Sequence, residues 1–488
     1  MATAASARVG ERELIMVART DSLWGPAGPP AAALAPGAAL GHADISDAGI
    51  ASALQKYSAS VRPLFPAGPQ AGQPELPGVA APAPDRPAAR AYHRIIADDA
   101  KLDDIAHALR QVAAVEAAYV KPPAEPAIND MQATAAAPAA AGTPDFSRRQ
   151  DYLGPAPGGI DAKFAWTQPG GKGAGVNIVD VEGAWHLTHE DLLVNNRGLL
   201  GGTQSSDLVW RNHGTAVIGV FGASANRMGV TGICPEAQVG VVAIFGTDRT
   251  SSTAIREAAD NLSAGDILLI ELHRAGPFHQ FEPRRDQEGY IAVEWWPDDF
   301  DAIQYAVGRG VIVVEAAGNG AQNLDAALYD TPGDGFPRDW QNPFRRANRD
   351  SGAILVGAGA PPPGTHGRNH GPDRSRLGFS NYGSAVDVQG WGREVTTCGY
   401  GDLQAGNEDH WYTDQFSGTS SASPVVVGAL GCMQGARRAQ QLRLLTPATA
   451  RGALRSSGSP QQDAPARPRT QRIGNRPDLR QLLALPVS

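Results

Sequence analysis

The sequence predicts an α/β fold, a parallel sheet flanked by helices, preceded by a small α+β domain of ferredoxin-like order. From Val176 onward, short apolar runs alternate with helical stretches, the pattern of a parallel sheet covered on both faces. Before that point six patterned pieces follow one another as β-α-β-β-α-β, a split β-α-β unit. Stretches rich in proline, alanine and glycine at Gly25 to Gly41, Pro63 to Pro87 and Pro122 to Pro144 read as linkers or insertions. The expected division is a small domain over residues 1–126, a linker over 127–157 and the large α/β domain over 158–488.

In the small domain, Glu13 to Arg19 (ELIMVAR) reads as a strand, Asp47 to Tyr57 as a helix, and Val61 to Phe65 and Tyr92 to Ile96 as strands. Lys101 to Val115 reads as a helix because Leu102, Ile105, Leu109 and Val112 recur three and four residues apart. Glu116 to Val120 closes the series as a strand, stopped by Pro122 and Pro123. The large domain offers the strands VNIVDV, AQVGVVAIF, DILLIEL, GVIVVEAAG and AILVGAGA, with helices at Thr253 to Leu262 and Asp298 to Gly308 between them. A polar tail from Ser456 to Thr470 precedes a last helical piece near Asp478 to Leu485.

Composition narrows the function. At ~150 residues per domain, 488 residues are enough for one large domain and a smaller one. The chain is 42% hydrophobic and 19% charged, which excludes wholesale disorder. Its 57 glycines and 38 prolines follow no Gly-X-Y period, so it is not collagen-like. A net charge of -8 gives no global attraction to phosphates, so no nucleic-acid partner is expected. Three cysteines, Cys234, Cys398 and Cys432, lie far apart without a C-x-x-C, which argues for buried thiols rather than a disulfide framework or a zinc knuckle. No run reaches the ~18 apolar residues of a membrane-crossing helix. Arg8, Glu11, Arg12 and Glu13 interrupt the place where a signal peptide would be apolar. A cytoplasmic location is therefore expected, with unconventional secretion left open.

Three segments carry chemistry. Asp180 lies near the end of the apolar run VNIVDV, and its carboxylate would emerge at the carboxyl edge of the sheet, where ligand chemistry gathers in such folds. His213 stands in RNHGTAVIGV, read as a glycine-containing turn before an apolar helix. Ser420 stands in FSGTSSASPVVVGAL, where Gly418 and Thr419 deliver a serine to a helix start. An aspartate, a histidine and a serine at adjacent strand ends can form a nucleophilic relay.

With these residues in view, the chain resembles the subtilisin-like (S8) serine peptidase family, in the order Asp, His, Ser, over about Gly158 to Leu485. The resemblance implies a serine endopeptidase that acts on protein or peptide substrates through an acyl-enzyme on Ser420. His213 would be base then acid, Asp180 would orient it, and Asn319 of EAAGNG would be an oxyanion donor. Such a donor is worth roughly 3 kcal/mol, a magnitude whose standard example is itself a subtilisin. Asp191 and Asp207 are the reserves for Asp180, because Val181 and Glu182 stand where the family usually has a hydroxyl residue and then glycine. The resemblance also implies substrate binding by Glu271 and Leu272, in place of Ser-Leu-Gly, and by Ala316, Ala317 and Gly318. Glu271 could instead be a structural partner of Arg274 or His273.

No organic cofactor is expected and the residues propose no metal site, although the family makes Asp191 a candidate calcium ligand. The absence of GxSxG leaves an α/β-hydrolase elbow unsupported. The strand AAYVKPP, Ala117 to Pro123, is similar to the last strand of the family's propeptide. That likeness implies intramolecular inhibition by residues 1–126, with Pro122 to Asp145 crossing the cleft and self-cleavage around Ile128 to Thr134. A separate protein-interaction domain is the competing reading for the first third. A catalytically silent peptide-binding scaffold is the competing reading for the rest.

Overall fold

The computed structural model describes residues 11–19, 45–65, 90–128, 142–247 and 249–485. The insertion at Gly25 to Gly41, most of Pro63 to Pro87 and the stretch 129–141 lie outside them.

The first elements are β1 (Glu13–Ala18), α1 (Ala48–Tyr57), β2 (Ser60–Pro63), β3 (Ala91–Ile96), α2 (Leu102–Arg110) and β4 (Val115–Lys121), in the expected order. The strands form an antiparallel sheet ordered β2-β3-β1-β4. Asp47 caps α1 by accepting from the Ile50 N–H at 2.9 Å. Helix α2 stops at Arg110 rather than Val115, because Val115 already pairs with Ala18 and the residues between must turn. Leu14, Met16, Ile50, Leu54, Ile105 and Leu109 bury the helices on one face of this sheet.

A two-residue strand, β5 (Glu125–Pro126), follows, and then the short helix α3 (Ala162–Ala165) opens the large domain. The large sheet is built from β6 (Asn177–Glu182), β7 (Asn196–Gly201), β8 (Gln238–Ala243), β9 (Ile267–Ile270), β12 (Ile312–Ala316), β13 (Ile354–Gly359) and β14 (Val386–Trp391). It is parallel throughout, in the order β14-β13-β12-β9-β6-β8-β7. Helices α4 (Leu208–Gly222) and α7 (Thr419–Ala439) pack on one face against Ile178, Leu269 and Val314. Helices α5 (Ser251–Asp260) and α6 (Pro297–Gly308) cover the other face against Val179, Val181 and Leu268. The alternation of Ile178 and Val179 between faces is the two-residue period of a strand.

Strands β7 and β14 carry no uninterrupted apolar run. The first is a partly exposed edge, and the second buries Asp387, which accepts from Arg346 at 2.7 Å and from the Leu355 N–H at 2.9 Å. The run DILLIEL divides in two. It leaves the large sheet after Ile270, and β10 (Leu272–Ala275) joins a separate antiparallel sheet ordered β11-β10-β5, with β11 being Tyr290–Ala292. A hairpin of β15 (Val395–Cys398) and β16 (Tyr412–Phe416), then α8 (Pro447–Ser456) and α9 (Leu479–Ala484), complete the chain. The three cysteines are buried and free. Among the described residues no helix is long and apolar enough to cross a membrane.

The face of the small sheet away from α1 and α2 is not open. Ile15, Val17, Ala117 and Tyr119 share one apolar cluster with Trp295, Trp296, Tyr329 and Phe344 of the large domain. Beside it Lys121 is fully buried, 2.6 Å from Asp298, 3.0 Å from Asp299 and 2.8 Å from Glu13, while Arg274 lies 3.1 Å from Glu13. Burial pushes the Glu13 carboxyl up, but Arg274 and Lys121 more than reverse this and hold it at about 2.

Candidate active site

Asp180 and Glu182 stand two apart on β6, so both carboxylates face the layer of α4 and α7. Asp180 accepts the indole N–H of Trp185 at 2.7 Å, and its other oxygen has no hydrogen-bond partner among the described residues. Glu182, one strand period nearer the carboxyl edge, is the residue hydrogen-bonded to His213 Nδ1. The expectation that Asp180 orients His213 is thus corrected in favour of Glu182. Close approach is needed for this contact. A Cβ on Gly214 would lie 2.7 Å from Glu182 Oε2 and 2.3 Å from the Ala184 carbonyl, so only glycine beside His213 lets the strand end reach α4.

The reserves are occupied elsewhere. Asp207 caps α4 by accepting from the Val209 N–H at 2.9 Å. Asp191 accepts from Asn226 at 2.6 Å, the Val230 N–H at 2.8 Å and the Tyr412 hydroxyl at 2.9 Å. Both Asp191 oxygens thus already face donors. Among the described residues no three histidine, cysteine or acidic side chains are grouped to hold a metal. His213 itself lies inside α4 rather than in a turn ahead of it, because Asp207 starts the helix earlier than the glycine suggested.

Ser420 is the second residue of α7, as the Gly-Thr-Ser sequence predicts, so its own N–H is one of the helix's unpaired first-turn donors. Gly418 precedes it with φ 115°, a conformation side chains disfavour. A Cβ there would also meet the Ala127 carbonyl at 2.2 Å. Asn319 follows β12 through Ala316, Ala317 and Gly318. Its Oδ1 accepts from the Thr419 N–H at 2.9 Å and hydroxyl at 3.0 Å, and its Nδ2 donates to Gln287 at 3.4 Å. The Asn319 amide is thereby fixed beside the start of α7, next to Ser420.

Glu271 sits at the point where β9 and β10 part. Its carboxyl turns to α7, accepting from Ser423 and also meeting Ser420, one helical turn apart. It pairs with neither Arg274, which reaches out to Glu13 and Ser251, nor His273, whose ring packs on Tyr290 at 4.7 Å. Asp180, Glu182 and Glu271 are thus buried together, and among the described residues no lysine or arginine acts on them. Burial raises Asp180 to about 7. Burial, then Asp180 and Glu271, raise Glu182, and burial raises Glu271. Burial lowers the His213 imidazole to about 3.

The cleft beside these residues holds the chain's own segment 124–128. Glu125 and Pro126 pair antiparallel with His273 and Leu272, and Gln287 donates to the Pro126 carbonyl at 3.0 Å. The Ser420 hydroxyl donates to the Ala127 carbonyl at 3.1 Å, and among the described residues His213 Nε2 has no hydrogen bond. Glu182, Gln287 and Tyr290 escaped sequence reasoning. For Glu182 the signal was Gly183 directly after it, marking where the strand ends.

Comparison with known proteins decides the family. The sequence model of the Subtilase family matches residues 194–474, which include His213, Asn319 and Ser420 and begin beyond both acids of β6. The chain belongs to the subtilase family. This subtilase is a subtilisin-like serine protease. It is 28% identical over 272 residues to an extracellular protease of Xanthomonas campestris, covering 55% of this chain and 39% of that one. To subtilisin BL of Lederbergia lenta it is 27% identical over 259 residues, covering 53% of this chain and 75% of the relative. Among solved structures, a protease of Pseudoalteromonas arctica aligns with a TM-score of 0.48 at 20% identity, over 70% of this subtilase and 99% of that chain.

Proposed function

We propose that this subtilase is a serine endopeptidase whose relay runs Glu182, His213, Ser420, and whose N-terminal domain blocks the cleft with residues 124–128. Ser420 Oγ attacks the substrate carbonyl carbon while His213 Nε2 takes its proton. Glu182 holds Nδ1 protonated and stabilises the imidazolium. The oxyanion that forms is met by the Asn319 amide and by the free N–H at the start of α7. His213 then protonates the leaving amine, and water releases the acyl group by the reverse path.

The observation that carries this reading is the seating of Ala127. A strand-paired segment presents its carbonyl to Ser420, with the Ala127–Ile128 bond at the reacting centre. Strand addition supplies main-chain hydrogen bonds, and the same geometry suits any extended protein segment. Residues 1–126 therefore inhibit in cis, and the first self-cleavage falls between Ala127 and Ile128.

Intact-mass spectrometry on purified full-length protein tests it. The expected product begins at Ile128, is formed by the wild type and is absent from Ser420→Ala. A fluorophosphonate should label the wild type and not the variant. A wild type that is neither labelled nor cleaved would identify a silent peptide-binding scaffold, and equal clipping of both proteins would point to an outside protease.

A further inference from the structure

The hairpin that follows β10 does more than close a small sheet. Tyr290 at its far end places its hydroxyl 2.8 Å from the Glu125 carboxylate, three residues before Ile128. The same hydroxyl accepts the Arg284 N–H at 3.0 Å, so its single proton is free to point at Glu125. Gln287 also meets the Glu125 side chain while it holds the Pro126 carbonyl and the Asn319 amide. Arg284 is not the counter-charge, because its guanidinium is engaged by Asp286 at 2.9 Å. The Glu125 carboxyl is thus held by neutral donors, mostly out of water, and burial raises it.

We propose that Tyr290 and Gln287 form a specificity subsite that selects an acceptor side chain of glutamate length at the third position upstream of the scissile bond. The occupant in this structure is Glu125, and protein substrates would present Glu-Pro-Ala-like segments in the same way. A glutamate accepts both donors. An alanine leaves the Tyr290 hydroxyl without its acceptor in a partly dry site, and a lysine sets an ammonium against a hydroxyl whose acceptor side is already taken. This rests on the reading that residues 124–128 lie as substrate does.

A double-mutant cycle on the full-length chain tests it, with the rate of appearance of the product beginning at Ile128 as readout. Glu125→Ala should slow cleavage about tenfold, the usual worth of a hydrogen bond to a charged group, and Glu125→Lys should slow it more. Tyr290→Phe should slow the wild-type segment but add little to Glu125→Ala. Any general damage from losing the hydroxyl would appear in both backgrounds, so the coupling survives it. In trans, the 4-nitroanilides of Ala-Glu-Pro-Ala, Ala-Ala-Pro-Ala and Ala-Lys-Pro-Ala should be cleaved in that order. Additive effects with equal rates on the three peptides, from enzyme that fluorophosphonate labels, would overturn the subsite. Absence of labelling and of any cleavage would overturn the protease reading beneath it.

Discussion

A buried carboxylate with no cation beside it weakens a fold at neutral pH, and Asp180 is in that position. Its folded value of about 7 lies above the ordinary 3.8, so the folded state binds the proton more tightly. Stability is then greatest below about pH 4 and falls as pH rises toward 7. At ~1.4 kcal/mol per unit the loss is bounded at about 4 kcal/mol. Asp180→Asn, made in a Ser420→Ala background to prevent self-digestion, should raise stability at pH 8 by ~1–4 kcal/mol and scarcely at pH 4. Urea midpoints at both values would show it, and an equal gain at both would disprove the burial argument. Catalysis should respond in the opposite order. Glu182→Gln, which spoils the tautomer of His213, should lower kcat by about 10³- to 10⁴-fold, while Asp180→Asn should leave it within about tenfold. The serine, the histidine and the asparagine were legible because each sits near a glycine visible as a letter, although His213 lies inside a helix and not in the turn its glycine suggested. The acid was not, because two residues are one full strand period, so periodicity puts Asp180 and Glu182 on the same face. Only the distance to the sheet edge separates them.

At the scale of elements, the parting of β9 from β10 is what puts a third carboxyl into the site. Reading DILLIEL as one strand hid this, since an apolar run does not show where its hydrogen-bond partner changes. The other five strands of the large sheet were readable, whereas β7 and β14 were not, because their apolar patterns are broken by exposure or by a buried charge. The groups facing Glu271 are Ser420 and Ser423 on α7 and Asp180 on β6, and Glu271 in turn helps to raise Glu182. Replacing Glu271 by glutamine removes a like charge from Glu182, which then ionises at lower pH. Because activity needs the carboxylate and the neutral imidazole, the acidic limb of kcat/KM should move to lower pH in Glu271→Gln. A limb that stays fixed or moves upward would mean that Glu271 does not act on the relay.

For the whole molecule, the two sheets are joined by an aromatic cluster and by Lys121 among three acids. Breaking a buried pair by removing one partner costs ~3–5 kcal/mol, and such pairs are screened little by salt. After self-cleavage the wild-type fragments should therefore stay together in gel filtration at high salt, and those of Lys121→Met should separate. Co-elution of the variant would show that the aromatic cluster and the Arg274–Glu13 pair hold the fragments together without Lys121. The pocket of three carboxyls has one more consequence, which concerns the solvent. Seating residues 124–128 helps to dry Glu182, Glu271 and Glu125, whose protons are then held more firmly, while burial keeps the His213 imidazole neutral beside them. Closing the cleft must therefore draw protons from the buffer, and the N-terminal domain must loosen its hold as the medium becomes more alkaline. Isothermal titration in two buffers of different ionisation enthalpy would count those protons, and a heat independent of the buffer would refute the coupling.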